Sequence, residues 1–396
     1  MTVLKERVDV LIVGGGIAGA ALACALSDTG LSILLIDRSD RPLDTARGDH
    51  LQPRTLEILR AWGVLDHVVN AGAERRDATR WFDANGDLLL DVPVAALPIA
   101  FPYFRYLNHE LIGETFLAGA RRNEHFEAVR PVGRWTLEPE GDFPRMRIEL
   151  PTGDFRYVEA TVVVGADGVH SQVRKQARMD YELHRYVNPI AVLFGRYRRR
   201  NPDNGLRVYL GREHMVSVIP RTGGGCKIGL PLTPAEIREW RTCSTDEISR
   251  RVRDSVPDVE FDDLVFGAVY PPVRCHAPKW TQGRVVLIGD ACHALHPARS
   301  QGMNITIRCI DELVRQLPID GGSLECRELP AALARFETAV RPGVERELAS
   351  NHRAGQEMDN PERRSFEPLI EKLRQLQSSK EKLLAYAYGA AGYEQA

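Results

Sequence analysis

The sequence contains little that would connect it with nucleic acid, with a membrane or with an oxidising compartment. Its 52 Lys and Arg residues nearly balance its 54 Asp and Glu residues, and the formal charge of −2 provides no overall basic field for an anionic partner. No apolar run approaches the length of a membrane span. The seven cysteines are odd in number and include no CxxC pair, which argues against a disulfide framework and against a zinc site.

These absences predict a cytoplasmic protein with free thiols, with no nucleic-acid partner and no stable membrane insertion. Residues 1–6 lead almost directly into the first apolar run, so we expect no signal peptide. At 396 residues the chain can hold one large or two ordinary domains, and it contains no internal repeat or low-complexity segment. We expect a monomer or a homodimer.

A glycine-rich turn follows the first apolar run. Val8–Val13 is typical of a buried strand, residues 14–19 form the run GGGIAG, and Ala20–Thr29 has the apolar spacing of a helix. In such a βαβ unit three glycines have separate tasks. Gly14 permits the tight turn, and Gly16 lets a pyrophosphate approach the backbone. Gly19 allows helix and strand to pack closely.

An acidic residue follows the second apolar run of this unit. Ser32–Ile36 predicts the second strand, and Asp37 comes directly after it, with Arg38 next. The Asp37 carboxylate would accept hydrogen bonds from both ribose hydroxyls and would repel the extra phosphate of NADP. The free N–H groups of the first helix, at Ile17 and Ala18, would bind the phosphates. The unit therefore predicts FAD or NAD, with Arg38 included among the cofactor-binding residues.

The middle of the chain has a different pattern. Strand-like segments separated by turn residues predict an antiparallel sheet; they are Ile190–Tyr197, Leu206–Leu210, Met215–Ile219 and Cys226–Leu230, with a further pair at Thr79–Asp83 and Leu88–Val92. We therefore expect an α/β fold. In it a Rossmann-like nucleotide-binding domain (1–75, 105–180 and 279–330) is interrupted by a β-sheet-rich substrate domain (76–104 and 181–278).

Residues 331–396 are predicted to form a C-terminal helical segment. Leu329–Ala349 has apolar residues at helical spacing, interrupted by Pro342, and Phe366–Tyr388 is a second amphipathic stretch. A helix on a membrane surface is one interpretation of the second stretch. Its mixed charges favour packing against its own domain.

Two further motifs follow buried strands. Residues 165–174 read GADGVHSQVR and open a helix; residues 289–297 read GDACHALHP, and QGMN follows at 301–304. With three such motifs in this order between Val8 and Leu313, the chain resembles the group-A flavoprotein monooxygenases. These are the single-component, FAD-dependent aromatic hydroxylases of the para-hydroxybenzoate hydroxylase type.

The resemblance implies a role for residues of each motif. Asp290, between Gly289 and Pro297, would hydrogen-bond the ribityl chain of FAD. Asp167 and Gly168 would shape the loop near the pyrophosphate and the path of NAD(P)H. The segment Gly302, Met303 and Asn304 would begin a helix whose N-terminus faces the flavin and stabilises the negative charge of its reduced form.

For several residues the sequence allows more than one role. Arg47 would lie along the pyrophosphate or ribityl region, or it would form a surface ion pair. A family glutamine or arginine that contacts FAD corresponds here to Asn108 or His109. Asp290 could merely cap a helix, and His293 and His296 invite a metal interpretation, although packing within the loop is favoured because no second ligand pair accompanies them.

The chain departs from the family pattern at three positions. Ser300 and Thr306 replace glycines, and Cys309 replaces an aspartate. Ser300 is tolerable if its backbone stays at negative φ. Thr306 would add bulk beside the flavin ring, and Cys309 would make the local field less negative. Flavin affinity or position could therefore be altered.

The resemblance implies an FAD-dependent monooxygenase. NADH or NADPH reduces FAD, and one atom of O2 is transferred to hydroxylate or epoxidise an electron-rich aromatic, quinone, polyketide or quinolone-type molecule. We expect the substrate between the sheet domain and the flavin. The expected lining is Phe194, Tyr209, Met215 and Val218, and the candidate catalytic residues are Arg196, His214 and Pro297. Alternatives are a reductase or dehydrogenase of the same fold, a halogenase-like enzyme, and a flavin-binding protein that has lost catalysis.

Overall fold

The computed structural model describes residues 7–40, 48–198, 204–362 and 364–393. Strands and helices are numbered in chain order. Within these residues the first sheet has eight strands: β1 (Arg7–Val13), β2 (Ile33–Ile36), β8 (Phe126–Val129), β9 (Trp135–Glu138), β10 (Arg145–Glu149), β11 (Phe155–Gly165), β19 (Thr281–Gln282) and β20 (Val285–Leu287).

The centre of the first sheet is parallel. β1 pairs with β2 on one side and with β11 on the other, and β20 pairs with β11. β2 is buried along its whole length, which matches its uninterrupted aliphatic sequence, because helices and loops cover both faces of a parallel sheet. Val13 lies opposite Gly165, and Gly165 lies opposite Leu287. The carboxyl ends of β1, β11 and β20 are therefore neighbours, and one motif follows each.

A second sheet has seven strands in the described part of the chain. Its order is β17-β13-β16-β15-β14-β5-β6; the strands are β5 (Thr79–Asp83), β6 (Leu88–Asp91), β13 (Ile190–Tyr197), β14 (Leu206–Leu210), β15 (Met215–Pro220), β16 (Gly225–Pro231) and β17 (Phe261–Tyr270). Its pairs are antiparallel except that β14 and β5 run parallel. The four strands expected to form an antiparallel sheet, β13 to β16, do so. The separately expected pair β5–β6 is also antiparallel, and it joins the edge of this sheet through the parallel pairing of β5 with β14.

Smaller pairings complete the strands that the structure describes. β3 (His50–Leu51), β7 (Phe104–Tyr106) and β4 (Glu74–Arg76) form a three-stranded sheet, called the small sheet below. Two strand pairs are β12 (Glu182–Arg185) with β18 (Val273–His276), and β21 (Ile319–Asp320) with β22 (Ser323–Leu324). The first and second sheets together confirm the α/β class.

The helices of the described residues surround both sheets. They are α1 (Ile17–Ala25), α2 (Pro53–Ala61), α3 (Leu65–Asn70), α4 (His109–Ala120), α5 (Gln172–Gln176), α6 (Pro234–Trp240), α7 (Thr245–Ser255), α8 (Gly302–Gln316), α9 (Leu329–Asp359), α10 (Glu367–Ser378) and α11 (Lys380–Ala390). Pro342 does not interrupt α9, which is continuous over 31 residues. The stretch predicted at Phe366–Tyr388 is two helices that meet at Ser379.

The two faces of the second sheet have different neighbours. One face forms a hydrophobic core with α6 and α7 that includes Leu193, Trp240 and Val252. The other face packs with the small sheet and with α10 and α11, where Leu373 and Ala387 are buried. None of the helices in the described part of the chain has both the length and the apolar character to cross a bilayer.

Candidate active site

The β1–α1 turn depends on two glycines. Gly14 has a φ of +107°, and a Cβ at this position would come 2.4 Å from the Ala166 carbonyl oxygen. A Cβ on Gly19 would come 1.9 Å from the Gly14 carbonyl oxygen. Gly16 is the N-cap of α1 and has a φ of −68°, which any residue can adopt, so the turn itself does not require glycine here. The absence of a side chain instead leaves the backbone of Gly16 open to a ligand.

The first turn of α1 has backbone N–H groups that the helix does not use. The first intrahelical hydrogen bond runs from the Ala20 N–H to the Gly16 carbonyl oxygen at 2.9 Å. The N–H groups of Ile17, Ala18 and Gly19 therefore remain for another acceptor, and no acidic side chain lies in this turn. Together with the helix dipole, they suit a phosphate.

Asp37 lies beside this turn at the end of β2. One carboxylate oxygen accepts the Gly15 N–H at 2.5 Å, and the other accepts the Ser39 N–H at 2.8 Å. Each carboxylate oxygen has a second lone pair, so Asp37 can still accept hydrogen bonds from a ribose. Its neighbour Arg38 is exposed, and Arg47 lies outside the described residues.

Arg174 joins the second motif to the third. It is fully buried, and its guanidinium donates to the carbonyl oxygens of Val169, at 2.9 Å, and Ala291. Asp167 accepts the Gln172 N–H at 2.6 Å through Oδ2, and its buried Oδ1 has no hydrogen-bond partner among the described residues. In the sequence Arg174 only ends a motif, and nothing in the pattern indicates that it bridges two turns.

The third motif turns at Gly289 and contacts α1. Gly289 has a φ of +59°, and a Cβ there would come 2.9 Å from the Ala18 Cβ. Asp290 is half-buried inside a short 3-10 helix, Gly289–Ala291, whose N-cap is Ile288. Asp290 is therefore not the N-cap of this helix. Gly168, in the neighbouring motif, also has a positive φ, +78°.

The segment after Pro297 leads to a helix N-terminus. Pro297 is exposed and begins the 3-10 helix Pro297–Arg299, and α8 begins at Gly302. The first hydrogen bond of α8 runs from the Ile305 N–H to the Gln301 carbonyl oxygen at 2.9 Å. The N–H groups of residues 302–304, which include Met303, are therefore not used inside the helix.

The Asn304 side chain fastens the start of α8 to residues 50–55. Its Oδ1 accepts the Gln52 N–H at 3.0 Å and the Thr55 hydroxyl at 2.7 Å. Its Nδ2 donates to the His50 carbonyl oxygen at 2.9 Å. The amide is therefore engaged within the protein, and what Asn304 offers to a cofactor is its backbone N–H.

The predicted substrate-lining residues divide between the two faces of the second sheet. Phe194 and Met215 lie on the face toward the small sheet. Tyr209 and Val218 lie on the opposite face in the core with α6 and α7, and the Tyr209 hydroxyl donates to Asp258 at 2.6 Å. Successive residues of a strand point to opposite faces, so the structure corrects the prediction for Tyr209 and Val218.

The two predicted cations also differ in position. Arg196 is exposed on β13, two residues along the strand from Phe194 and therefore on the same face. His214 follows the β14 hairpin turn, and its Nε2 lies 3.4 Å from Glu236 of α6. Because α6 covers the opposite face, His214 does not face the small sheet, and its predicted role is corrected.

A buried ion pair joins the second sheet to the segment before α2. Lys227 of β16 donates to Asp49 at 2.8 Å, with 3% and 1% of the two side chains exposed. The other Asp49 oxygen accepts the His109 N–H at 3.0 Å, at the start of α4. Asn108 Oδ1 accepts the Arg221 Nε–H at 3.1 Å. The side-chain oxygen of Asn108 is thus committed to Arg221, and the sequence offered no signal for this network beyond its residue types.

A family model described as an FAD binding domain matches residues 7–318. The chain belongs to this FAD-binding family. It is 26% identical to ubiquinone hydroxylase UbiL of Rhodospirillum rubrum over 358 residues, 84% of this chain and 78% of that relative. It is 27% identical to 6-methylpretetramide 4-monooxygenase of Streptomyces rimosus over 349 residues, 85% and 81% of the two chains.

Solved structures have the same fold. p-Nitrophenol 4-monooxygenase PnpA of Pseudomonas putida DLL-E4 superimposes with a TM-score of 0.79 at 17% identity, covering 99% of this chain and 100% of that one. Family membership confirms the resemblance, and FAD is the cofactor of this family. The residues present fit FAD, since a glycine turn, unused helix N–H groups and the unpartnered Asp167 Oδ1 all follow adjacent strand ends.

In this FAD-binding protein, two departures from the family pattern pack within the core. The Thr306 hydroxyl donates to the Gly302 carbonyl oxygen at 2.9 Å, and a Cβ on Gly289 would come 3.3 Å from the Thr306 methyl carbon. Cys309 is 2% exposed, and burial raises its pKa to about 12. These contacts favour helix packing over the expected narrowing beside the flavin ring.

The two histidines of the third motif are also buried. Burial lowers the pKa of His293 to about 4 and that of His296 to about 3. His293 lies against Trp280 with ring centroids 5.1 Å apart, and His296 Nδ1 accepts the Ala298 N–H at 3.1 Å. Among the described residues, neither belongs to a group of side chains that could hold a metal ion. Both pack within the loop, as favoured from the sequence.

Proposed function

We propose that this protein is an FAD-dependent monooxygenase that uses NADH or NADPH and O2 to hydroxylate or epoxidise an electron-rich aromatic, quinone, polyketide or quinolone-type molecule. The single observation that carries the proposal is the convergence of the three motifs at the neighbouring carboxyl ends of β1, β11 and β20. When bound, FAD supplies the redox chemistry that activates O2. The relatives that the chain resembles include a ubiquinone hydroxylase and a 6-methylpretetramide 4-monooxygenase.

We assign the cofactor contacts residue by residue. The N–H groups after the glycine turn would bind the phosphates, and Asp37 would bind the ribose. Asp290 would bind the ribityl chain, and the start of α8 would contact the flavin. The proposed set is Gly14, Gly16, Ile17, Ala18, Gly19, Asp37, Asp167, Gly168, Gly289, Asp290, Pro297, Gly302, Met303 and Asn304. Every strand of the first sheet falls in the ranges expected for the FAD domain, 1–75, 105–180 and 279–330.

Side chains on one face of the second sheet would position the substrate and exclude water from it. The face of the second sheet that carries Phe194 and Met215 is covered by the small sheet and by α10 and α11. The substrate would lie there, next to the unused N–H groups of α8, which stabilise negative charge on the reduced cofactor. We infer a cytoplasmic enzyme, a monomer or a homodimer, in keeping with free cysteines of which most are buried.

The test is cofactor release followed by turnover. Purified protein supplemented with FAD should be yellow, and heat should release FAD that chromatography identifies. NADH or NADPH oxidation should accelerate when a hydroxylated arene is added, because substrate binding and flavin reduction belong to one cycle. Release of FMN or NAD, or retention of no nucleotide, would exclude the proposal. Oxidation without an oxygenated product would instead indicate a reductase.

A further inference from the structure

Arg130 lies directly after β8, at the edge of the first sheet that carries the glycine turn and Asp37. The strand order is β11-β1-β2-β8, and Ile36 of β2 lies opposite Val129 of β8 in a parallel pairing. The Asp37 N–H donates to the Val129 carbonyl oxygen at 3.3 Å. Arg130 therefore follows the end of β8 as Asp37 follows the end of β2, and the two strand ends are in contact.

The Arg130 side chain extends toward the first turn. A Cβ on Gly15 would come 3.4 Å from Arg130 Cδ and 3.4 Å from Asp37 Cβ, so the arginine stem lies beside the Asp37 side chain. Arg130 is half-buried, and its side chain forms no hydrogen bond or ion pair with any other described residue. Its guanidinium is thus held next to the proposed ribose-binding carboxylate without being engaged by a carboxylate, and it remains available to a ligand.

The order of the strand ends indicates which part of FAD comes to Arg130. In the proposed contacts, the phosphates lie on the N–H groups that follow β1, and the ribose lies on Asp37 after β2. The phosphate and the base are attached at opposite ends of the ribose. The base therefore continues along the same edge, away from β1 and toward the end of β8, where Arg130 lies.

We propose that Arg130 binds the adenine of FAD by placing its guanidinium plane against the face of the base. This inference rests on the proposed cofactor contacts and adds to them a residue that no sequence motif singles out. A guanidinium is planar and weakly hydrated, and it stacks on aromatic faces. A lysine carries the same charge but has no plane to stack, so Arg130→Lys separates stacking on the base from ionic attraction to the phosphates.

The test is a calorimetric titration of the FAD-free protein with FAD and with ADP, which has the same adenosine and phosphates but no flavin. Arg130→Ala and Arg130→Lys should each weaken the binding of FAD by about tenfold, because stacking on a base contributes that much. The binding of ADP should weaken by the same factor. The absorbance spectrum of the bound flavin should stay as in the parent, since the contact is with the adenine.

Arg156→Lys is the matched control, because Arg156 is an exposed arginine at the amino end of β11 in the same sheet. It should bind FAD as the parent does. The melting temperature of each FAD-free variant is measured alongside, and Arg130→Lys, which keeps the stem and the charge, decides the question if Arg130→Ala does not fold.

Three results would overturn the inference: FAD binding by Arg130→Lys as tight as that of the parent, weaker binding of FAD without weaker binding of ADP, or an altered flavin spectrum. The first would indicate an ionic contact with the phosphates, and the other two a contact with the flavin. A protein whose FAD affinity depends on Arg130 as expected, but which forms no oxygenated product, would retain this inference and lose the proposed function. A parent protein that binds no FAD would lose both.

Discussion

Ser300 has a backbone conformation that residues with a Cβ rarely adopt. It replaces a family glycine, and its backbone has φ 52° and ψ 34°, in the left-handed region. The condition under which Ser300 would be tolerable, a negative φ, is therefore not met. A residue with a Cβ in this conformation carries roughly 1–2 kcal/mol of strain. The chain keeps that strain in the segment that leads into α8, close to the proposed cofactor.

Ser300→Gly should raise the free energy of unfolding by about 0.5–1 kcal/mol. The loss of strain exceeds the added entropy of glycine in the unfolded chain, which costs about 0.4–1 kcal/mol. Urea denaturation of the two proteins measures the difference. Ser300→Ala retains the Cβ and should give no gain, so an equal gain from both variants would show that strain is not the cause.

Asp290 carries the sharpest cofactor prediction at this scale. Asp290→Asn should weaken FAD binding by about tenfold to a hundredfold, because a charge-assisted hydrogen bond contributes roughly 1.5–3 kcal/mol. The melting temperature of the FAD-free variant is measured alongside, so that a folding defect is separated from a lost cofactor contact. Fluorescence titration with FAD measures the affinity. Asp262→Asn, on the far strand β17, is the control, and equal affinity of the two variants would contradict the assigned role.

Individual elements show where the sequence pattern suffices. The observed bounds of β5, β13 and β14 are those predicted, because turn residues flank short β-branched or aromatic runs. Ten-residue β17 was not predicted, since its two acidic residues and its glycine obscure the alternation. Pro342 lies inside α9 and lacks the N–H that would bond the carbonyl oxygen four residues earlier. The packing of this long helix against the rest of the protein offsets the loss of that one hydrogen bond.

The sequence does not show which face of a strand each side chain of the second sheet occupies. Tyr209 and Val218 have the same aromatic or aliphatic character as Phe194 and Met215, yet they face the other core. A strand buried on both faces has no polar alternation to tell its two sides apart. Which core a side chain enters depends on whether α6 and α7 or the small sheet cover that face of the strand. These covering elements are far from the strand in the sequence, so the local pattern does not reveal them.

The Asp49–Lys227 pair should matter strongly for the docking of the second sheet. Asp49→Asn leaves the Lys227 charge buried, which costs about 3–5 kcal/mol of unfolding free energy. The double variant with Lys227→Met should lose less than the sum of the single losses, because no uncompensated charge remains at that pair. Chemical denaturation measures all three. Glu362→Gln removes an exposed ion pair with Arg364 and should change stability little. Additive losses at Asp49 and Lys227 would contradict the coupling.

The whole molecule should lose stability on mild acidification. Burial lowers the pKa of His50, His293 and His296 from 6.5 to about 3, 4 and 3 respectively. Between these folded values and 6.5 the unfolded chain binds more protons, so unfolding free energy rises with pH and falls as pH drops from about 7 to 5. Each histidine contributes roughly 1–2 kcal/mol to that fall.

Denaturation at both pH values checks this linkage with His293→Phe, which keeps an aromatic ring against Trp280. The variant should lose about 1–2 kcal/mol less than the parent on acidification. His67→Gln, on the exposed side of α3, should follow the parent. If His293→Phe and the parent lose the same amount, the buried neutral histidine is not a source of the pH dependence.

At the scale of the molecule, the sequence predicts the fold class and the cofactor, because glycine turns and strand ends are local signals. The contacts between distant segments were not predictable. Arg174 to Ala291, Asn304 to Gln52 and Lys227 to Asp49 each join residues far apart in the chain. These contacts decide which polar groups remain for FAD and for the substrate.

The proposed monooxygenase transfers an oxygen atom from O2 to an aromatic substrate. The most direct measurement is mass spectrometry of the product formed by FAD-loaded protein, NAD(P)H and a neutral hydroxyarene under isotopically labelled O2. We expect a product heavier by one labelled oxygen atom. The same product carrying its new oxygen from unlabelled water, or NAD(P)H oxidation that yields only peroxide with every arene tried, would contradict it.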